Sequence, residues 1–410
     1  MAAQPRRRSQ RLLEQKQDWS TILPHELWEL ISKRLPSGHD ASNFRSMCRL
    51  WRDALPFTEF EPVLMLPFDP ESPDGVVTFY RLTDGEFFTK DLPALHGKEV
   101  CGSSHGWLAL VDEAACLTLL NPFTNATVDL PPTDERFALV SMRTVIMLDG
   151  RWVHPSPSDG VLRETKLGDM REVFFHEVVL SSPADSGNCI AMALLTESSE
   201  VAFCRVGVAG GSWTLLNTGL KQDISCIVHC RSRFLAITHD GQISICNVGG
   251  ATPTARPVQS FDLPKQVNPL SYLQVNGELH LVCTVVQPGS TTYSTRLYRC
   301  NVFARKPVWS RVRNAGDLTL LTSHNLAVGH AGGSVSGLKK NSVYYSGHLS
   351  GCIHHDGCKH NPNHVLEIIN VANGKSEWLP YRQNTQGSPE AICWIMPNPW
   401  TQGLLRLVIP

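Results

Sequence analysis

The chain has 410 residues, of which 42% are hydrophobic and 18% are charged, and its formal net charge at pH 7 is −1. No apolar run approaches the roughly eighteen residues that a membrane-spanning helix needs. A nearly neutral chain also lacks the concentrated basic face that binds nucleic acid. The composition therefore predicts a globular protein with no membrane span and no nucleic-acid partner, and the length predicts more than one folding unit.

The thirteen cysteines are scattered among apolar neighbours, as at Cys189, Cys226 and Cys283. An odd number without regular spacing does not predict a disulfide framework, and unpaired cysteine commonly serves as a small core residue. This usage is typical of a reducing compartment, so we expect the chain in the nucleus, the cytoplasm or both.

Residues 1–18 are predicted to form a disordered basic leader. Basic residues outnumber acidic ones there, and no apolar run could serve as a secretory signal. The triplet Arg6-Arg7-Arg8 fits a nuclear targeting sequence, and a solvated tail explains it equally well.

The segment from Trp19 to Leu55 predicts two short amphipathic helices. Pro24 suits the first turn of a helix because its fixed φ is preorganised there, and apolar residues then recur at helical spacing up to Leu35. The Pro-Ser-Gly sequence at 36–38 is predicted to end this helix. Asp40 is a candidate N-cap for the second helix, which carries one apolar stripe. A unit of about forty residues rarely has a sufficient core of its own, so a partner is expected.

These two helices resemble an F-box. The match consists of LP-x-EL-x3-I-x3-L from Leu23 to Leu35 and D-x3-FR-x2-CRLWR from Asp40 to Arg52. The resemblance implies an F-box hairpin over residues 19–58 that binds the Skp-type adaptor of a cullin-RING ubiquitin ligase. It implies that the motif's own core and the adaptor-binding face are divided among Leu23, Pro24, Leu27, Ile31, Leu35, Phe44, Cys48 and Trp51. The alternative is a generic helical hairpin packed on its own domain.

After Pro56 the pattern changes to short apolar runs separated by turn residues, which predicts a mainly β domain over residues 60–410. The predicted strands are 107–111, 117–120, 127–130, 234–238, 242–248, 272–275, 278–286, 365–371 and 375–379. The strongest hairpin signal is Asn276-Gly277, which separates two of these runs. Amphipathic patterns of helix length are missing, so parallel βαβ architecture is not expected.

A short asparagine motif repeats along this β domain. Cys246-Asn247-Val248 recurs as Cys300-Asn301-Val302 and, with isoleucine first, at 369–371, and Leu120-Asn121-Pro122 is a weaker copy. Asn247 and Asn301 lie 54 residues apart, close to the period of about 50 in kelch-type propellers. The pattern predicts a β-propeller of about six or seven blades in which the asparagines occupy equivalent positions.

One interval in this repeat is too long. Asn301 and Asn370 lie 69 residues apart, which predicts an insertion of about fifteen residues. The polar segment Gly347–Asn363 is the candidate, and its histidines and cysteines extend to His364 in the spacing C-x5-C-x-H-x3-H. Zinc accepts such ligands, but closed structural sites more often use closely paired cysteines, so an exposed insertion without metal is predicted.

The β domain also resembles a plant propeller-like domain of unknown function that commonly follows an F-box, in a family of the brassinosteroid-kinase-inhibitor type. The matching stretches are SSHGWLALVDEAACLTLLNPFTNATVDLPP from Ser103, VAFCRVG from Val201, NSVYYSG from Asn341 and INVANGKSEWLP from Ile369. The resemblance spans nearly all of residues 60–385. These motifs are strands and turns, so they imply a fold and no particular activity.

Catalytic motifs are sparse in this sequence. The glycine-rich stretches GVAGG (207–211) and GHAGG (329–333) lack a phosphate-loop lysine and are predicted to be turns at blade edges. No GxSxG nucleophile elbow on a strand-to-helix turn and no HExxH helix is predicted. We therefore predict a non-catalytic substrate receptor without cofactor, which binds the Skp-type adaptor, and through it a cullin, with its F-box and binds a target protein with its propeller. A scaffold or co-regulator outside a ligase and a propeller enzyme are the alternatives.

Overall fold

The computed structural model describes residues 60–133, 146–156, 158–196, 198–258, 263–286, 293–323, 328–331, 338–346, 365–380 and 393–398, together with residues 24, 27, 30, 31, 34, 35, 38–47 and 51. The chain separates into two compact units between Thr58 and Glu59. No helix among the described residues is long and apolar enough to cross a membrane.

Short strands account for most of the second unit. In chain order they are β1 (Val63–Met65), β2 (Val76–Arg81), β3 (Phe87–Asp91), β4 (Lys98–Ser104), β5 (Trp107–Asp112), β6 (Leu117–Asn121), β7 (Ala126–Asp129), β8 (Ile146–Leu148), β9 (Arg151–Pro155), β10 (Leu162–Glu164), β11 (Phe175–Leu180), β12 (Ile190–Leu195), β13 (Glu200–Arg205), β14 (Thr214–Asn217), β15 (Ile224–Cys230), β16 (Arg233–Thr238), β17 (Ile243–Asn247), β18 (Thr254–Pro257), β19 (Val267–Val275), β20 (Glu278–Val286), β21 (Tyr293–Cys300), β22 (Ser310–Val312), β23 (Thr319–Ser323), β24 (Val328–Ala331), β25 (Ser342–Ser346), β26 (Val365–Asn370), β27 (Ser376–Pro380) and β28 (Cys393–Ile395). The segment Pro93–Leu95 is a 3₁₀ turn, and Leu167–Val173 and, in the first unit, Gly38–Met47 are α-helices.

Six sheets of the described residues adjoin one another in a ring. Their strand orders are β28-β1-β2-β3, β4-β5-β6-β7, β11-β12-β13-β14, β15-β16-β17-β18, β19-β20-β21-β22 and β24-β23-β25-β26-β27. The inner strand β4 contacts β28 on one side and β11 on the other, and contacts continue through β15 and β19 to β24, while β23 returns to β28. This is a propeller of six blades. The prediction of a mainly β propeller is confirmed, and the F-box hairpin stays a prediction.

A seventh sheet, β10-β9-β8, belongs to the connection between two blades. It is not a blade of the ring, because β4 and β11 contact each other directly. The helix Leu167–Val173 follows it and buries Met170 and Val173 in the core between these blades. Sequence analysis missed this helix, since seven residues are too few to show a helical period.

The last strand of the described residues closes the ring. β28 pairs antiparallel with β1, which joins residues 393–395 to the start of the propeller. Trp394 is fully buried, and its indole Nε1 donates to the Thr322 carbonyl at 3.1 Å. Its own carbonyl accepts a hydrogen bond from Ser103 Oγ at 2.7 Å. One residue therefore connects three blades.

The repeated asparagines occupy equivalent positions, as predicted. Asn121, Asn247 and Asn370 end β6, β17 and β26, each the last strand but one of its sheet, and Asn301 directly follows β21, which has the same place in its sheet. The side-chain oxygens of Asn121, Asn301 and Asn370 accept the backbone amide two residues later at 3.0–3.2 Å. Such turns direct the chain into the outermost strand of the sheet without needing glycine.

The last blade is irregular. β23 pairs antiparallel with β24 and parallel with β25, so this sheet has five strands. The extra strand accounts for part of the long interval between Asn301 and Asn370. The sequence predicted an insertion at Gly347–Asn363 alone, and that segment lies outside the described residues. The turn predicted for GHAGG is wrong at residues 329–331, which pair with β23 because the sheet supplies their backbone hydrogen bonds. GVAGG does connect β13 to β14.

The cysteines are core residues, as predicted. Those in the described ranges are free thiols, and all but Cys116 and Cys226 are buried. Burial raises the pKa of Cys204 and of Cys246 to about 12. These thiols therefore remain protonated and contribute packing volume to the interfaces between blades.

Candidate functional site

The predicted helical motif contains one continuous described helix, Gly38–Met47. This helix begins at Gly38, two residues before the predicted N-cap, so the assignment of Gly38 to a helix stop and of Asp40 to the cap is wrong. Asp40 lies in the first turn instead, where a carboxylate interacts favourably with the positive end of the helix dipole.

The preceding segment is helical at three of its described residues. Leu27, Leu30 and Ile31 have helical backbone conformations. The Leu27 amide donates to the Pro24 carbonyl at 3.0 Å, and the Arg34 amide donates to the Ile31 carbonyl at 3.0 Å. These contacts lie within the span predicted for the first helix.

The structure divides the predicted adaptor-binding residues into exposed and buried sets. Pro24, Leu27 and Ile31 are exposed, Leu35 and Trp51 are half-buried, and Phe44 is buried, while Leu23 and Cys48 lie outside the described residues. The rings of Phe44 and Trp51 are in contact, with 4.7 Å between their centroids. Phe44 and Trp51 thus form the interior of the motif.

Four large apolar side chains of this motif are exposed. Leu27 and Ile31 are each 41% accessible, Leu30 is 52% accessible and Met47 is 66% accessible. We call Leu27, Leu30 and Ile31, which lie at the i, i+3 and i+4 spacing of one helix face, the apolar patch. Leu30 and Met47 were absent from the predicted adaptor-binding set, although both follow the helical spacing of apolar residues. Grouped exposed apolar side chains mark interaction surfaces more often than solitary ones do.

The inner strands of the propeller share a second feature, a β-bulge near the start of each of β4, β11, β15 and β19. The bulges lie between Val100 and Gly102, Phe175 and Glu177, Ile224 and Cys226, and Pro269 and Ser271. Bulges re-aim side chains at such positions. At β11 the result is a buried carboxyl group, because Glu177 Oε2 accepts the Ile227 amide of the next blade at 2.9 Å.

Burial raises the pKa of Glu177 from its ordinary 4.5 to about 7, and the Ile227 amide and Arg171 partly oppose this shift. The folded chain therefore binds a proton between pH 4.5 and 7 that the unfolded chain releases. The stability that this protonation contributes is complete below the unfolded pKa and is lost as pH rises through the folded pKa.

We predict that Glu177→Gln will be more stable than the unmodified chain at pH 8, by roughly 2 kcal/mol, and nearly equal to it at pH 5. The amide is neutral at both values and keeps an oxygen that accepts from Ile227. Urea unfolding at the two pH values measures the difference. The exposed substitution Glu113→Gln is the control, and an equal effect of Glu177→Gln at both pH values would contradict the prediction.

A basic groove lies between the blades β15–β18 and β19–β22. Its volume is about 600 Å³, and it is lined by Arg231, Arg233, Ile245, Asn247, Thr254, Ala255, Arg256 and Phe303. The Arg231 guanidinium lies over the Phe303 ring, 5.6 Å from its centroid. Sequence analysis missed this groove because its arginines belong to no motif. A signal existed only in the two arginines that flank Ser232.

Within the described ranges, no three histidine, cysteine, aspartate or glutamate side chains group closely enough to hold a metal ion. The segment Gly347–Asn363 lies outside those ranges. Aspartates in the turns of the propeller have local roles. The Asp112 carboxylate, for example, accepts the amides of Ala114 and Cys116 at 3.0 and 2.8 Å.

Comparison with known proteins agrees with the fold. The family described as KIB1-4 beta-propeller matches residues 79–371. F-box protein SKIP23 of Arabidopsis thaliana is 28% identical over 60% of each chain, so the present chain spans only that share of this relative. F-box protein At2g05970 of the same plant is 23% identical over 93% of this chain and 97% of its own length. Probable F-box protein At4g22165, also from Arabidopsis thaliana, is 24% identical over 81% of this chain and 85% of its own length.

Among solved structures, the β-propeller domain of Cps50 (Swd1) from Myceliophteria thermophila is similar over 81% of this chain and 90% of that one. The identity is 13% and the TM-score is 0.39. The family match begins within β2 and ends one residue after β26, so it includes most strands of the six-bladed ring. This chain belongs to the KIB1-4 beta-propeller family.

Proposed function

We propose that this chain is the substrate-recruiting subunit of an SCF-type cullin-RING ubiquitin ligase. Residues 19–58 act as the F-box that binds a Skp-type adaptor and, through it, a cullin. Residues 60–410 form the receptor domain that binds a target protein, and residues 1–18 are a basic leader. The chain acts in the nucleus, the cytoplasm or both.

The observation that carries this proposal is the exposed apolar patch. A relative that matches over 93% of this chain and 97% of its own length is named an F-box protein. A small helical motif that exposes Leu27, Leu30 and Ile31 gains stability when a partner covers them, because burying the accessible part of each side chain, about half of it, contributes about 1 kcal/mol. The receptor then works by raising the local concentration of a target near the ubiquitin carrier. This role requires no reacting group from the chain itself.

Co-expression of the full chain with a plant Skp-type adaptor and its cullin tests the proposal. We expect a stoichiometric complex that survives size-exclusion chromatography. A chain that folds but elutes without adaptor would contradict the proposal and favour a scaffold or co-regulator outside a ligase. A propeller enzyme would be favoured only by turnover that persists without adaptor.

A further inference from the structure

We propose that the basic groove binds an extended acidic segment of a partner protein through Arg231, Arg233 and Arg256. Only the identification of that partner as a ligase target rests on the proposed function above. The binding itself is a property of the two propeller blades that form the groove.

The charge of the groove selects an anionic ligand. Three of its eight lining residues are arginines, and none of the other five is charged. No ion pair joins these three guanidinium groups to a carboxylate of the described residues. Guanidinium groups form their strongest contacts as paired hydrogen bonds to carboxylate or phosphate oxygens.

The spacing of the arginines favours an extended ligand over a single small anion. Arg233 begins β16 and Arg256 lies in β18, on opposite sides of β17. Two strand spacings place their backbones about 10 Å apart. In the ladder, Arg256 is paired with Ile245, and Thr254 with Asn247, so these four lining residues share one face. A segment with at least two carboxylates reaches both sides of this face.

Arg231 is held in place at one end of the groove. It packs against the Phe303 ring and against Gly277, where an added Cβ would lie 2.6 Å from Arg231 Nε. Arg231 and Ser232 both have positive φ, 49° and 60°. A hairpin turn with this geometry ordinarily uses Asn-Gly, as the neighbouring turn does at Asn276-Gly277. Arginine therefore occupies a position where Asn or Gly would adopt the backbone conformation at a lower energetic cost. Local strain of this kind concentrates at functional sites.

The floor of the groove distinguishes a peptide from a nucleic acid. Ile245 and Phe303 supply apolar surface between the arginines, which suits the alternating side chains of an extended peptide. Nucleic acid needs a longer basic track along its backbone, whereas the net charge of the chain is −1. The observations therefore favour an acidic peptide.

Fluorescence anisotropy with the full-length chain tests the inference. The probe is a labelled peptide of about eight alternating glutamate and leucine residues, about 27 Å long when extended, and the matched peptide carries glutamine for glutamate. We expect binding of the glutamate peptide that weakens with salt. The double variant Arg233→Gln with Arg256→Glu should weaken binding about a hundredfold, because each lost charge-assisted contact corresponds to about tenfold.

Arg205→Glu is the matched control, since Arg205 is an exposed arginine on a third strand of another blade. Thermal unfolding must show that both variants remain folded. Equal binding of the glutamine peptide, absence of binding by the unmodified chain, or tighter arginine-dependent binding of duplex DNA would each overturn the inference. Adaptor co-purification by the double variant should be unchanged. If neither the variants nor the unmodified chain co-purified with adaptor, the proposed ligase function would be contradicted. The inference about the groove would not be affected.

Discussion

Replacing Gly102 with alanine is expected to lower the free energy of unfolding of the propeller by about 3 kcal/mol or more. Gly102 lies in β4, where this inner strand meets β11 of the next blade. An added Cβ would lie 2.2 Å from the Val178 carbonyl oxygen and 3.1 Å from the Ala109 Cβ. Neither neighbour is the flexible end of a long side chain, so the two blades would have to separate.

Gly249→Ala is the matched control for this substitution. No atom lies within 4 Å of a Cβ built at Gly249, and its φ is not positive. We expect the control to unfold at nearly the same urea concentration as the unmodified chain, and Gly102→Ala at a clearly lower one. If the two variants had equal midpoints, the close approach of β4 to β11 would not be a constraint on the folded ring.

The double substitution Leu27→Asp with Ile31→Asp is expected to abolish binding of a Skp-type adaptor while the propeller stays folded. Both side chains are 41% accessible in the free chain. Covering the accessible part of each side chain contributes about 1 kcal/mol, and each unpaired carboxylate in the interface adds a larger cost. The combined loss corresponds to a decrease in affinity of at least about a hundredfold.

Pull-down of adaptor by the full-length variant measures this effect. Val308→Asp, which places a carboxylate at an apolar residue that is 68% accessible on the propeller, is the control and should retain binding. The variant must also keep the thermal unfolding transition of the propeller. Adaptor recovery equal to that of the control would show that Leu27 and Ile31 do not contact the adaptor, whatever the role of Phe44.

Local signals in the sequence identified much of the fold. Asn276-Gly277 predicted a hairpin because few residue pairs adopt two consecutive positive φ values, and the structure has φ of 50° and 75° there. The asparagine repeat located equivalent turns in the blades because each turn is completed by an amide only two residues away. The exposed residues of the predicted F-box were also recognisable from helical spacing, although their binding role stays a prediction.

Contacts distant in sequence decided the rest. The number of blades depended on whether β4 meets β11, and no local pattern records that contact. Burial raises the pKa of Glu177, and the backbone amide that its carboxyl group accepts lies 50 residues away in the sequence. Arg231 meets a ring at Phe303 that belongs to another blade. Turn types and the alternation of apolar with polar residues depend on residues that are close in sequence. The sequence alone therefore determined the predicted strands and their hairpins. Burial and charge proximity depend on which blades become neighbours, and only the closed ring decided the groove.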